Sequence, residues 1–372
     1  MSNKFKVPYN YLPLEFKDNE KIIKEWKQLI KKTDFTLGEY VKKFEKKFRN
    51  YVGSKYCIST NNGTDALIIA LKSINIKQND EVITVTNSFY ATTGAIVNVG
   101  AIPIFVDCDE RYQIDVNKIE NSITKKTKAI IPVHWAGASP NMDKIMKLAK
   151  KYDLYVIEDA CMGIGGRINS KMPGTIGHIG AYSMHPLKSL NVMGDGGAIV
   201  TNDKKIADWL FKYRNHGMKN RDQIDIWGVN ARLQPLQAIV AIEGLKKINN
   251  VIKKRLNNAK IYDENLSSLH PNVILPKRNK KNIETYSLYM ILCKNRNKLQ
   301  KFLTRFGIET KIHYPTPLHL QKASLKYNYR KGDFPVSELQ AKKILTLPVH
   351  QFMTNKQLFF TINIIKMFYQ NG

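Results

Sequence analysis

The sequence predicts an α/β protein with a mostly parallel sheet in a large domain, residues 1–245, and a smaller C-terminal α+β domain, residues 246–372. Three observations predict it. Short apolar runs alternate with helix-periodic segments through the first part of the chain, the alternation stops after Leu233, and the composition can fill two cores.

The apolar runs end near Ser59, Val85, Val106, Val133, Glu158, Met184 and Thr201. They are rich in Ile, Val and Tyr and bounded by turn residues, as buried strands are. Residues 64–74, 90–99 and 141–152 lie between them with apolar side chains at helical spacing. Strand and helix in alternation call for a parallel sheet covered on both faces, with right-handed crossovers. Beyond Leu233 a long helix is expected over Pro235–Leu266, then a Pro- and Lys-rich passage from Pro271, then a strand over residues 286–293. A helix near 298–306, a strand at 310–314 and helices at 336–345 and 355–369 complete the expected order. The chain carries no internal repeat and no low-complexity segment.

Of 372 residues, 43% are hydrophobic and 10% aromatic, which excludes a disordered chain because this much apolar surface can offset chain entropy on burial. No run approaches the roughly 20 consecutive apolar residues of a membrane span, and the first thirty residues are studded with Lys, Glu and Asp. Neither a span nor a secretory signal is expected. Cys57, Cys108, Cys161 and Cys293 lie far apart, without the spacing of a metal site or a dithiol motif, so reduced thiols in a cytoplasmic protein are expected. The 59 basic against 31 acidic side chains give a net charge of +28. Because Lys and Arg are spread along the whole chain without a basic tail, the charge argues for an anionic substrate rather than a nucleic acid.

In a sheet of this kind, ligands sit beyond the carboxyl ends of the strands, and polar residues stand there at four places. Asn61-Asn62-Gly63-Thr64-Asp65 joins a strand to a helix start whose amides suit a phosphate, or Asn62 or Thr64 simply caps that helix. Tyr155 to Asp159 delivers two adjacent carboxylates, Glu158 and Asp159, of which only one can face a given site. Lys188 follows Ser183-Met184-His185-Pro186-Leu187 in a semi-apolar stretch that ends on the turn Gly194-Asp195-Gly196-Gly197. Gly228-Val229-Asn230-Ala231-Arg232 lies at the junction of the two parts. Each alone is an ordinary cap, turn or solvated lysine. Together they meet the needs of one cofactor, pyridoxal 5′-phosphate: a lysine for its aldehyde, a carboxylate for its pyridine nitrogen, hydroxyls and amides for its phosphate, and a flat side chain against its ring. Lys188, Asp159, Thr64 with Ser183, and Phe89 can fill these roles.

These motifs, with Asn87-Ser88-Phe89 between the first and second, closely resemble those of the DegT/DnrJ/EryC1/StrS family of sugar aminotransferases, which have the aspartate aminotransferase fold, fold type I. The resemblance runs from about Thr36 to His350. It implies Lys188 as the Schiff-base lysine, Asp159 as partner of the pyridinium nitrogen, and Phe89 as the stacking ring. It further implies Thr64, the Asp65 amide and Ser183 around the phosphate, helped by Asn230 of a second subunit, hence a homodimer. His185, His313 and Tyr314 fall toward the substrate. The implied reaction carries an amino group from L-glutamate to a keto sugar, nucleotide-linked, for surface polysaccharide or glycoconjugate biosynthesis. A metal is not called for.

One position departs from the family pattern. Three residues after the aspartate, where a glutamine usually meets the cofactor's phenolic oxygen, this chain has Met162. A dehydratase on the same fold is the alternative enzyme, but it replaces the lysine by histidine, and here Lys188 is in place.

Overall fold

The computed structural model describes residues 5–279 and 281–370. Seven strands form the main sheet: β1 (Tyr56–Thr60), β2 (Glu81–Val85), β3 (Ile102–Val106), β4 (Thr127–Ile131), β5 (Tyr155–Asp159), β6 (Ile179–Ser183) and β7 (Gly197–Thr201). Their order is β1-β7-β6-β5-β4-β2-β3. The pairs from β6 across to β3 are parallel, whereas β7 runs antiparallel to both β1 and β6. Every one of the seven apolar runs is therefore a strand, and the sheet is mostly parallel as expected.

Alternate residues of one strand feed different cores, the direct result of the two-residue repeat. Cys57, Tyr182, Ala198 and Val200 join the layer of Phe44, Phe48 and Ile239, and Ile58, Ala181 and Ile199 join that of Leu67, Ile69 and Leu210. The first layer rests on helices Glu20–Lys32 and Glu39–Val52, which add to the elements expected from sequence. Leu29, Phe44 and Phe48 are fully buried there, on helices whose opposite, exposed faces are crowded with Lys and Glu. Among the described residues no helix is long and apolar enough to cross a membrane.

Helix Pro235–Leu266 spans 32 residues and opens with proline, whose missing N–H costs nothing in the first turn. It runs straight through residue 245. Its first half packs Ala238 and Ile242 on the large sheet, and its second half packs Ala259, Tyr262 and Leu266 against Tyr289, Leu299 and Leu345 of the C-terminal part. That part holds an antiparallel three-stranded sheet of Val273–Ile274, Tyr289–Cys293 and Ile344–Leu347, with helices Arg296–Arg305 and Asn355–Gln370. Two expectations need correction. Residues 310–314 make a single bridge, Lys311 to Thr346, rather than a strand. The helix expected at 336–345 stops at Lys343, because the fully buried Ile344–Leu347 is drawn into pairing with Tyr289–Leu292.

Candidate active site

At the carboxyl end of β5 the alternation of the strand separates the two carboxylates. Glu158 is fully buried and points away, accepting hydrogen bonds from the amides of Gly174 (2.8 Å), Ile176 (2.6 Å) and Gly177 (2.5 Å) and pairing with His134 Nε2 at 2.8 Å. Burial pushes its pKa up, but His134 and these amides outweigh burial and hold it below the ordinary value. Asp159 faces the cavity. Its Oδ2 accepts from the Thr92 hydroxyl at 2.7 Å and its Oδ1 from the Cys161 amide at 3.2 Å.

The segment after β6 carries Lys188 to the same cavity. Its amide donates to His185 O at 2.8 Å, and its carbonyl accepts from the Tyr11 hydroxyl at 3.2 Å, so the backbone is held from both sides. Burial lowers the pKa of the Lys188 amine, with Cys161 and Asp159 opposing the shift. The side chain is half-buried, closely ringed by protein yet open to the cavity.

The cavity measures about 380 Å³. It brings together Thr64, Phe89, Asp159, Ser183 and Lys188 with His185, His313 and Tyr314, which are eight of the ten residues named from sequence. The other two lie elsewhere. The Asp65 amide donates to Asn62 Oδ1 at 2.7 Å and the Asp65 carboxylate accepts from Asn62 Nδ2 at 2.9 Å, so Asn62 caps the helix and takes up the amide expected for phosphate. Asn230 is exposed outside the cavity, its side-chain oxygen accepting from Arg232 Nε at 2.8 Å. Met162 lines the cavity, and its carbonyl accepts from the hydroxyls of Thr285 (2.8 Å) and Ser287 (2.9 Å).

Sequence reasoning missed Tyr9, Tyr11, Trp135, Arg255, Ser287 and His350, which also line the cavity. His350 closes the motif Leu347-Pro348-Val349-His350, a signal that could have found it. The two tyrosines arrive from the start of the chain and carry no local pattern at all.

The residues present fit pyridoxal 5′-phosphate. A Cβ on Gly63 would sit 2.7 Å from Ser183 Cβ, so the bare glycine is what lets the start of helix Gly63–Ser73 lie beside the Ser183 hydroxyl. The first amides of that helix have no intrahelical acceptor and carry the positive end of its dipole, a ready phosphate cradle. An amine with a lowered pKa, a fixed carboxylate and an accessible aromatic ring, Phe89, surround the remaining space.

Residues 17–366 match the sequence model of the DegT/DnrJ/EryC1/StrS aminotransferase family. The chain belongs to this family. Two relatives are sugar-nucleotide enzymes by name. The dTDP-3-amino-3,6-dideoxy-alpha-D-galactopyranose transaminase of Aneurinibacillus thermoaerophilus is 36% identical over 325 residues, 87% of this chain and 88% of the relative. The UDP-2-acetamido-2-deoxy-3-oxo-D-glucuronate aminotransferase of Pseudomonas aeruginosa is 35% identical over 327 residues, 88% and 90% of the two chains. The crystal structure of DesV from S. venezuelae superposes with a TM-score of 0.95 at 29% identity, covering 98% of each chain. The NtdA structure from Bacillus subtilis, solved with the pyridoxamine form of the cofactor bound, superposes with a TM-score of 0.93 at 30% identity. This DegT/DnrJ/EryC1/StrS protein is thus a fold type I sugar aminotransferase that depends on pyridoxal 5′-phosphate.

Proposed function

We propose that the enzyme is a cytoplasmic homodimer that moves an amino group from L-glutamate to a ketone on a nucleotide-linked sugar, feeding surface polysaccharide or glycoconjugate biosynthesis. The observation that carries this reading is the convergence of Lys188 and Asp159 on one cavity beside a helix start. When bound, pyridoxal 5′-phosphate supplies an aldehyde that takes up the amino group and a ring that withdraws electrons from the reacting carbon.

The chain's own residues do the rest. Asp159, fixed by Thr92, would pair with the pyridine nitrogen and hold its proton there. Phe89 would cover the ring, and the free amides at the start of helix Gly63–Ser73, with the hydroxyls of Thr64 and Ser183, would hold the phosphate. Lys188 Nζ takes and returns the proton at the reacting carbon, and its lowered pKa makes the neutral, basic amine available nearer neutral pH than in a free lysine. His185, His313 and Tyr314 approach the sugar from the open side.

The names of the relatives, which act on dTDP- and UDP-linked sugars, support the nucleotide-linked acceptor. A buried cation at the cavity, Arg255, suits an acidic donor such as glutamate. Dimerisation is supported by the segment that carries Asn230, where Trp227 is 87% exposed and Ile224 and Val229 are also bare, surface that a second copy would cover. On this reading Asn230 then completes the partner's phosphate site. Four free cysteines suit a reducing compartment.

A panel of dTDP- and UDP-linked 3-keto and 4-keto sugars, each incubated with glutamate and followed by mass spectrometry, tests the proposal. An amino-sugar nucleotide formed in step with 2-oxoglutarate is the expected result. Glutamate conversion with no member of the panel accepting the amine would overturn the nucleotide-sugar assignment.

A further inference from the structure

Thr346 and His313 face each other at the edge of the C-terminal sheet, where Thr346 exchanges two backbone hydrogen bonds with Lys311: its amide donates to Lys311 O at 2.8 Å and its carbonyl accepts from Lys311 N at 3.1 Å. The backbone of Thr346 is thereby fixed. Its side chain is fully buried, and its hydroxyl lies 2.9 Å from His313 Nδ1. Among the described residues the Thr346 hydroxyl has no other partner.

This geometry decides where the imidazole keeps its proton. A buried hydroxyl has one proton to give, and leaving it without an acceptor is costly. If Nδ1 carried the ring proton, the hydroxyl could only accept, and its own proton would point into dry protein. If Nδ1 is bare, the hydroxyl donates to it and both groups are satisfied. The proton of the neutral ring then resides on Nε2.

His313 itself is half-buried and lines the cavity, and its Nε2 has no partner among the described residues. The charged and titratable groups around it are Lys188, Lys311, Tyr9 and Tyr314. Burial, with Lys188 and Lys311, lowers its pKa to about 4, so the ring is neutral at neutral pH and its tautomer matters.

We infer that Thr346 is a positioning residue that locks His313 in the Nε2–H tautomer, so that His313 offers an N–H donor to an oxygen of the acceptor sugar. A ketone or hydroxyl oxygen can accept from Nε2–H, whereas a bare Nε2 would repel the lone pairs of a ketone. Thr346 never touches the ligand. The assignment of the recipient oxygen rests on the proposed keto-sugar reaction, but the tautomer does not.

The test uses holoenzyme labelled with ¹⁵N-histidine, with the His313 ring signals identified by their loss in His313→Gln. Nδ1 at the shift of an unprotonated nitrogen and Nε2 at that of a protonated one is the expected result, retained in Thr346→Ser and shifted toward a tautomer mixture in Thr346→Val. A wild-type ring protonated on Nδ1, or a Val variant with unchanged shifts, overturns the inference. Kinetics supply the second arm: Thr346→Val should raise KM for the best keto-sugar nucleotide of the panel roughly three- to tenfold, the loss of one oriented hydrogen bond. The half-reaction with glutamate alone should stay at the wild-type rate, and Thr346→Ser should restore KM. Equal KM in both variants would overturn the donor role toward the sugar. Failure of every panel member counts against the keto-sugar reading instead, and the nitrogen shifts still decide the tautomer.

Discussion

The Thr92 hydroxyl donates to Asp159 Oδ2 across 2.7 Å, joining the helix Tyr90–Asn98 to the end of the central strand that delivers the carboxylate. Ser88 Oγ in turn donates to Thr92 Oγ1 at 3.2 Å. The carboxylate thus holds a fixed orientation toward the cofactor's pyridine nitrogen in the proposed site.

Thr92→Val should therefore lower kcat about three- to tenfold, the loss of one hydrogen bond of about 0.5–1.5 kcal/mol, while Thr92→Ser stays near wild type. Asp159→Asn should cost several orders of magnitude with cofactor still bound, because a neutral amide cannot stabilise a protonated pyridine. Steady-state turnover of the three variants checks both. Near wild-type activity in Asp159→Asn would hand the role to another group, and Glu158 is already occupied by His134 and three amides.

Gly63→Ala places a methyl 2.7 Å from Ser183 Cβ, inside the proposed phosphate cradle. Something must shift, and overpacking of this kind costs about 1–3 kcal/mol. The dissociation constant for pyridoxal 5′-phosphate, read by absorbance titration of the apoenzyme, should rise about tenfold or more. Unchanged affinity would place the phosphate elsewhere.

Complementation reads the shared site of the proposed dimer. Neither Lys188→Ala nor Asn230→Ala homodimers should turn over well, but a mixed dimer carries one cavity with both residues intact. Partial recovery of activity on mixing is expected. Proven heterodimers without recovery would mean that Asn230 serves its own subunit, where the structure has it outside the cavity and bonded to Arg232.

Met162 carries the one departure from the family pattern into the cavity wall. A thioether cannot donate a hydrogen bond, so Met162→Gln should add one to the cofactor's phenolic oxygen and shift the pH titration of the visible band by roughly one pH unit or less. Because the Met162 carbonyl is held by Thr285 and Ser287, the backbone should stay in place and the change should report the side chain alone. Overlaid titrations would make Met162 a packing residue.

The strands were legible because buried strands such as Gly197–Thr201 are apolar throughout and bounded by turns, and Pro235 marked the start of the long helix. Helices Glu20–Lys32 and Glu39–Val52 were not, since their apolar stripes of Ile22 and Leu29, and of Phe44 and Phe48, are diluted by charged neighbours. Residues 344–345, expected as the end of a helix, are strand instead because pairing of Ile344–Leu347 with Tyr289–Leu292 overrides local propensity. Within the cavity, residues in motifs at strand ends could be named in advance. Tyr9, Tyr11 and Arg255 in its wall, and Thr92 buried behind Asp159, could not, because each acts through contacts with residues remote in sequence, 67 positions away for Thr92 and Asp159.

Of the lysines in this strongly basic chain, only Lys188 is expected to bind the cofactor covalently, and that is the central claim. Borohydride reduction of the holoenzyme, followed by proteolysis and mass mapping, tests it most directly. The account predicts a phosphopyridoxyl label on Lys188 alone, with Lys188→Ala unlabelled, folded and inactive. A label on any other lysine, or none on wild-type enzyme that turns over, would contradict it.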